Sequence, residues 1–234
     1  DAEGDRIFNG AVDNASGVAE VLAIAKAFKA LPQPPRRSVL FLFVAAEEQG
    51  LLGSQWYSEN PTFPPGRIAA NINIDSGNVF GRTSEVIFIG KGKSTLDEVV
   101  ERYARAQGRT VQPDEMSDRG FFYRSDQFNF ARIGVPAFYS HTATKFIGQP
   151  EEWGRQQLEE YEAKRYHQPS DEFDPAWNYE GMIEDAQLAF WAGLDVASAD
   201  TLPAWVPGDE FEAARKAALA AVSGSAGSPA NTGR

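Results

Sequence analysis

Two adjacent glutamates, Glu47 and Glu48, directly follow an apolar run from Val39 to Ala46. The run predicts a buried strand over 38–46 that ends in two carboxylates. Because open α/β sheets bind ligands at the carboxyl ends of their strands, the pair is a candidate for chemistry. Neighbouring residues of an extended chain point in different directions, so one carboxylate can bind a metal while the other moves a proton.

Three further groups fall where predicted strands end or near predicted helices. Asp13 precedes the first helix, Asp75 ends a strand, and His167 follows a charged helix. In a doubly wound sheet these positions converge on one edge, where divalent cations would relieve the repulsion between carboxylates. The chain has no Cys and only two His, so carboxylates must supply most metal ligands. Such a set suits Zn²⁺ and two-metal hydrolase sites, whose ions lie roughly 3.5–4 Å apart.

Each of these residues has an ordinary structural explanation when it is taken alone. Asp13 could cap a helix or form a turn, and Asp75 before Ser-Gly could be a turn residue. A Glu pair after a strand is usually the start of a solvated loop, and His167 alone would be a surface or packed histidine. The ordered set, rather than any single member, carries the metal-site hypothesis.

The composition limits the partners and the architecture. A chain of 234 residues with 42% hydrophobic content predicts one large α/β domain, or one domain with appendages. The net charge of −11 argues against nucleic acid and anionic membranes as partners. No apolar run approaches the length of a transmembrane helix, and no signal peptide is visible. Because the sequence starts at Asp1 without Met, we expect it to be a processed or cropped piece of a longer protein.

Strand and helix signals alternate along the chain, which predicts an α/β sheet with helices on both faces. The hydrophobic periods predict strands over 38–46, 68–75, 85–89 and 135–139, and helices over 16–31, 53–59, 95–107, 125–133, 154–165 and 180–199. Residues 1–202 are therefore assigned to the main domain. The rest, 203–234, is interpreted as a linker, an Ala-rich helix over 209–222 and a frayed tail.

Five segments, NGAVDNASGVA, VAAEEQGLLGS, NINIDSGN, SDQFNFARIGVPA and YHQPSDEFD, resemble the M28 family of zinc aminopeptidases and related exopeptidases. They occur in the family's order and approximate spacing from Asn9 to Asp174. The resemblance implies a three-layer α/β/α sandwich with a mixed, mostly parallel sheet, from which the early strands are missing. It also implies two zinc ions, a peptide substrate and a secreted or periplasmic location.

The resemblance further implies a role for each site residue. Asp13 would bridge two zinc ions, Glu48 and His167 would complete one ion's ligands, and Asp75 would bind the other. Glu47 would be the general base. Tyr166 would stabilise an oxyanion, although a packed aromatic explains it equally well. The resemblance also predicts a cis peptide bond between Asp13 and Asn14.

Two other residues are expected near the site without binding metal. Asp126, in the Ser-Asp pair at 125–126, would support the ligands from behind, and His141 would lie in a loop along the substrate pocket. The family also has a His ligand upstream of Asp13, and this sequence has none there. Either the chain starts after that His, which we favour, or the site has lost it. Substitution by His141 is a weaker alternative.

The sequence thus predicts an enzyme that removes N-terminal residues from peptides at a dinuclear zinc site. A related carboxypeptidase or a glutaminyl-cyclase-like enzyme remains an alternative with the same fold. A catalytically impaired fragment that acts as a binding module is a third. The oligomeric state cannot be predicted from the sequence.

Overall fold

The computed structural model describes residues 4–225. Four strands, β1 to β4, form the sheet: Asn71–Asn73, Glu85–Phe88, Thr110–Pro113 and Ala137–His141. The α-helices, α1 to α7, are Gly17–Lys29, Leu52–Glu59, Leu96–Ala106, Gln127–Arg132, Trp153–Lys164, Glu180–Ser198 and Glu212–Ser225. Every predicted helix is therefore present with slightly shifted ends. Strand β3 was not predicted, because Thr110–Pro113 has a single aliphatic residue, Val111, and ends in a proline.

The sheet has the strand order β1-β4-β2-β3. Strands β1 and β4 are parallel, with Ile72 opposite Phe138, and β2 and β3 are also parallel. Strands β2 and β4 are antiparallel, with Ile87 opposite His141. The sheet is thus mixed and mostly parallel, and helices flank it, which confirms the predicted α/β class.

Alternate side chains of the strands pack into two different layers. On one face, Phe88 and Phe138 meet edge to face at 4.9 Å, and α3 and α6 cover them with Val100 and Leu188. On the other face, the buried cluster comprises Ile89, Phe122, Ala131, Tyr139, Trp205 and Phe211. The sheet therefore has helical layers on both sides, and its strand ends are free to carry a site.

The predicted buried strand over 38–46 is wrong. This segment belongs to no sheet in residues 4–225, and Leu40 and Phe43 are 52% and 49% exposed. A strand needs a neighbour for its backbone N–H and C=O groups, and β1 pairs only with β4 in the described chain. Side chains attach the segment instead, since Phe41 packs on Phe28 at 5.9 Å.

Helix α1 buries an unexpected face. Its apolar period predicts an inward stripe that includes Val18 and Leu22, but these residues are 42% and 57% exposed. The buried positions include Glu20 and Ile24. The helix therefore turns a carboxylate toward the interior.

The described part of 203–234 packs onto the rest of the molecule. Trp205 is buried and donates its indole N–H to the carbonyl of Gly134 at 3.1 Å. On α7, the buried Arg215 donates to the carbonyl of Ile68 at 2.8 Å. The predicted boundary at residue 203 stays a prediction, and the tail beyond residue 225 lies outside the described residues. Among the described helices, none is both long and apolar enough to span a bilayer.

Candidate metal centre

Three predicted ligands converge at one place. The imidazole Nε2 of His167 lies 3.3 Å from Oδ2 of Asp13 and 3.0 Å from Oε2 of Glu48. One ligand atom from each residue falls within 4.8 Å of the others. Two carboxylates and one imidazole at such separations form a donor set that suits Zn²⁺. The distant sequence positions of these residues are thus brought together as predicted.

The turn Ala11–Ser16 presents Asp13 to this cluster. Within the turn, Asp13 and Asn14 depart from helical geometry, and the peptide bond between them is cis, as the family resemblance predicts. The carboxylate of Asp171, which is 2% exposed, accepts the backbone N–H of Val12 at 3.1 Å and that of Asp13 at 3.0 Å. Asp171 therefore fixes the backbone that carries Asp13. Sequence reasoning missed this residue, although it lies four positions after His167 in the same motif.

The same turn is bonded to the loop that follows β1. The side-chain oxygen of Asn14 accepts the backbone N–H of Ser76 at 3.0 Å. The hydroxyl of Ser16 donates to the carbonyl of Val12 and accepts the N–H of Gly77, both at 2.6 Å. The segments around Asp13 and Asp75 therefore form one hydrogen-bonded unit.

Asp75 lies beside the cluster without joining it. Its Oδ2 accepts the Ser125 hydroxyl at 2.5 Å and the Tyr139 hydroxyl at 3.5 Å. Ser125 is itself held by the side-chain amide of Asn73 at 2.8 Å. Asp75 is close enough for its charge to raise the pKa values of Asp13 and Glu47. Its assignment to a second metal stays a prediction.

Backbone strain concentrates at this site. Four non-glycine residues have positive φ angles in the described chain, and three of them are predicted site residues or their immediate neighbours in sequence. Ala46 (φ 58°) precedes Glu47, Ser76 (φ 71°) follows Asp75, and the third is His167 (φ 56°). The left-handed conformation costs free energy for residues other than glycine, and residues that adopt it cluster at functional sites.

The charges of the site repel one another in the metal-free protein. Burial, followed by Asp75 and Glu48, raises the pKa of Asp13 to about 6. Burial and Asp75 raise the pKa of Glu47 to about 8. A cation at the cluster would favour the ionised forms, so the site's electrostatics fit a bound metal. A carboxylate such as Glu47, with a pKa raised toward neutral pH, is also suited to general-base chemistry.

Tyr166 stacks on His167, with ring centroids 3.7 Å apart. Burial, followed by the charge of Asp13, raises the pKa of its phenol to about 12, so the hydroxyl keeps its proton at neutral pH. The phenol can therefore donate a hydrogen bond beside the cluster. Its position fits both the packed and the oxyanion-stabilising interpretations, and the catalytic role stays a prediction.

The two residues expected around the site lie on the Asp75 side. Burial raises the pKa of Asp126, and its Oδ1 is buried without a hydrogen-bond partner in the described chain. His141 places its Nε2 2.6 Å from the Tyr139 hydroxyl, and burial lowers the pKa of its imidazole. It does not belong to the three-residue cluster. His141 therefore contacts Asp75 through Tyr139.

Comparison with known proteins identifies the family. The model of peptidase family M28 matches residues 1–191. The chain belongs to peptidase family M28. Among curated relatives, leupeptin-inactivating enzyme 1 of Streptomyces exfoliatus is 27% identical over 86% of this chain and 44% of its own length. The probable lipoprotein aminopeptidase LpqL of Mycobacterium tuberculosis is 29% identical over 78% of this chain and 39% of its own length.

Solved structures of this M28 protein's relatives share its fold. The LapA aminopeptidase of Legionella pneumophila matches with a TM-score of 0.60 and 19% identity, over 82% of this chain and 48% of that one. The aminopeptidase from Aneurinibacillus sp. strain AM-1 matches with a TM-score of 0.61 and 22% identity, over 82% and 41%. The chain thus spans less than half the length of the relatives it matches.

Proposed function

We propose that this M28 chain carries the centre of a zinc-dependent aminopeptidase, which hydrolyses the first peptide bond of its substrate. The convergence of Asp13, Glu48 and His167, with Glu47 directly beside them in the chain, is the observation that carries the proposal. One relative is named a probable lipoprotein aminopeptidase and two structural neighbours are named aminopeptidases, which supports the substrate class. A secreted or periplasmic location remains part of the proposal.

Asp13, Glu48 and His167 would bind one zinc ion, and Asp13 with Asp75 would bind a second. Bound zinc would polarise the substrate carbonyl and lower the pKa of the attacking water. Glu47 would accept the proton of that water and deliver it to the leaving amine. The Tyr166 hydroxyl, protonated at neutral pH, would donate a hydrogen bond to the oxyanion.

The acidic surroundings support a preference for free N-termini. A substrate's α-ammonium group would be attracted by the carboxylates that already raise the pKa values of Asp13 and Glu47. We therefore place the carboxypeptidase and cyclase alternatives behind the aminopeptidase.

One observation favours the second candidate, a binding module with an impaired centre. Within residues 4–225, a single cluster of three ligands forms, and Asp75 is bonded to Ser125 instead. Zinc stoichiometry separates the candidates, since two ions per chain support the dinuclear enzyme. One ion or none, together with no turnover, supports the binding module.

The Glu47→Gln variant tests the proposed mechanism. Because glutamine cannot accept the proton, turnover of an aminoacyl p-nitroanilide should fall by roughly 10²–10⁴-fold. Zinc content should stay unchanged, since Glu47 is not a proposed ligand. The exposed Glu59→Gln serves as the control for loss of a carboxylate. Retained turnover would refute the base assignment, and equal turnover of N-acetylated substrate would refute the preference for free N-termini.

A further inference from the structure

A small cavity lies behind the proposed metal site. It is enclosed by α1, α6 and the carboxyl ends of β1 and β4, and its volume is about 10 Å³. That space holds about one water-sized particle. Its polar lining includes Glu20, Asp75, Ser140, Thr142 and Asp185. None of Asp13, Glu48 and His167 lines it, so the cavity is distinct from the three-ligand cluster, and it adjoins the proposed second zinc site through Asp75.

Glu20 presents an unpartnered carboxylate to this cavity. Its side chain is buried, with 4% exposure for the residue, and it makes no hydrogen bond or ion pair in the described chain. The backbone of Gly77 approaches it closely, because a Cβ at Gly77 would lie 2.7 Å from Oε1 of Glu20. A buried carboxylate without a partner is strongly disfavoured, so the site requires a proton or a cation.

Asp185 supplies a second oxygen with free acceptor capacity. Its Oδ1 accepts the Arg109 guanidinium at 2.7 Å, while its Oδ2 accepts no hydrogen bond in the described chain. Arg109 also donates hydrogen bonds to the side chains of Gln107 and Thr83 and to the carbonyl of Glu85. Arg109 therefore balances only one of the two carboxylates, and one negative charge is left uncompensated.

The charge of Asp185 disfavours the ionised form of Glu20. Burial, followed by the charge of Asp185, raises the pKa of Glu20 to about 9. Burial likewise raises the pKa of Asp185, although Arg109 opposes the rise. A positive charge between the two groups would remove the repulsion and leave both ionised.

We propose that this cavity binds one hard cation, with Glu20 and the free oxygen of Asp185 as ligands. The lining residues Ser140 and Thr142 offer further oxygens. The imidazole Nε2 of His141 is hydrogen-bonded to the Tyr139 hydroxyl at 2.6 Å, and the proposed ligands are oxygens. Oxygen donors without thiolate select sodium, potassium or calcium ions over zinc. The cation would join α1 to α6 directly behind the loop that carries Asp75.

The cation dependence of thermal unfolding tests this site. The zinc-supplemented protein is melted in chloride salts of sodium, potassium or calcium, each compared with tetramethylammonium chloride at the same ionic strength. We expect one of the three to raise Tm saturably, by roughly 3–6 °C for each tenfold concentration above its dissociation constant. The Glu159→Gln variant, which loses an exposed carboxylate on α5, should behave like the wild type.

The Glu20→Gln variant should lose this rise while it keeps its zinc content and turnover. An effect of the salts at the proposed zinc ligands, Asp13, Glu48, Asp75 and His167, would persist in that variant, which separates the cavity from the zinc site. If Glu20→Gln does not fold, Glu20→Asp decides the question, since its shorter side chain should shift half-saturation to a higher concentration. Equal Tm in all four salts, or a rise that Glu20→Gln and Glu20→Asp leave unchanged, overturns the proposal in favour of a proton and a water.

Discussion

Asp171 determines the backbone geometry at the residue that we place at the centre of the metal site. Its carboxylate accepts the N–H groups of Val12 and Asp13, and its own carbonyl accepts the N–H of Ala11 at 3.0 Å. Each hydrogen bond to a charged group contributes about 1.5–3 kcal/mol when both partners are buried. Metal ligands also depend on the groups that hold them, which gives Asp171 a role in affinity as well as in stability.

We predict that Asp171→Asn weakens zinc binding by about 10–100-fold, because the amide presents one acceptor oxygen instead of two. Competition with a zinc-responsive fluorescent chelator measures the affinity, and urea denaturation measures the stability. Glu172→Gln, which alters an exposed carboxylate next along the chain, is the matched control. Unchanged zinc affinity in Asp171→Asn would show that the turn holds Asp13 without this carboxylate.

The buried carboxyl of Glu20 gives the stability a pH dependence of known sign. Below pH 4.5 it is protonated in both the folded and the unfolded chain and contributes no difference. Between 4.5 and about 9 the unfolded chain releases the proton while the folded chain keeps it, so stability falls as pH rises. The facing charged groups are Asp185 and Arg109 on one side and Asp75 on the other.

Glu20→Gln removes this loss of stability. In tetramethylammonium chloride, the variant should gain stability relative to the wild type between pH 5 and pH 8. At 1.36 kcal/mol per pH unit, the upper limit of that gain is about 4 kcal/mol. Urea denaturation at the two pH values measures it, and Glu159→Gln is again the control. A difference that does not change with pH would place the Glu20 proton elsewhere.

At the scale of elements, periodic patterns in the sequence predicted the helices, whereas strand formation depended on whether a neighbouring strand was available for pairing. The 3.6-residue period of α3 is sufficient to place Leu96 and Val100 in the core. A strand depends on residues far away in sequence, so an apolar run such as 38–46 cannot reveal by itself whether a neighbour exists. The exposed Leu40 and Phe43 show the consequence of a missing neighbour in the described chain.

The site residues that could be predicted from the sequence are those that lie at predicted strand ends and in the family's motifs. The predicted ligands Asp13, Glu48 and His167 lie close together, as the motif order predicts. The supporting residues were not predictable, since the contacts of Asp171 with the Asp13 turn span 158 residues or more. Glu20 was hidden for another reason, because a single carboxylate inside an apolar helix normally faces solvent.

Helix α7 packs closely against the turn that precedes β4. A Cβ at Gly134 would lie 2.4 Å from the backbone nitrogen of Arg215, and the φ angle of Gly134 is +87°. Gly92 has nearly the same φ of +90°, but a Cβ there would meet nothing within 4 Å. The two glycines therefore form a matched pair that separates backbone strain from the contact with α7.

We predict that Gly92→Ala costs about 1–2 kcal/mol, the penalty of the left-handed conformation alone. Gly134→Ala should cost at least about 2 kcal/mol more, because the backbone of α7 must move away from it. Urea denaturation of both variants measures the difference. In limited proteolysis of the Gly134→Ala variant, the earliest cuts should fall C-terminal to residue 203. Equal costs for the two variants would mean that α7 is not packed there in solution.

At the scale of the whole molecule, the excess negative charge predicts that bound cations stabilise the fold. The chain carries 33 acidic and 22 basic residues, and several of the acids gather at the ends of β1 and the 38–46 segment. Self-repulsion of this kind destabilises a compact state, and salt screens it only beyond about 8–10 Å. Charges as close as those of Asp13 and Glu48, whose ligand atoms lie within 4.8 Å, are screened little by salt, and a bound ion would neutralise them.

Zinc added to the metal-free protein should therefore raise Tm, because it binds the folded state and neutralises the cluster. At 1,000 times its dissociation constant the expected rise is roughly 8–16 °C, and it should be larger in 20 mM than in 500 mM salt. Differential scanning calorimetry measures both values. His167→Ala removes the proposed ligand that lies within 3.3 Å of both carboxylates, so zinc should raise the Tm of this variant much less. The control variant Glu159→Gln, at an exposed position on α5, should show the same rise in Tm as the wild type. If zinc raises Tm equally in His167→Ala, the stabilising ion binds elsewhere and the cluster of Asp13, Glu48 and His167 is not the metal centre.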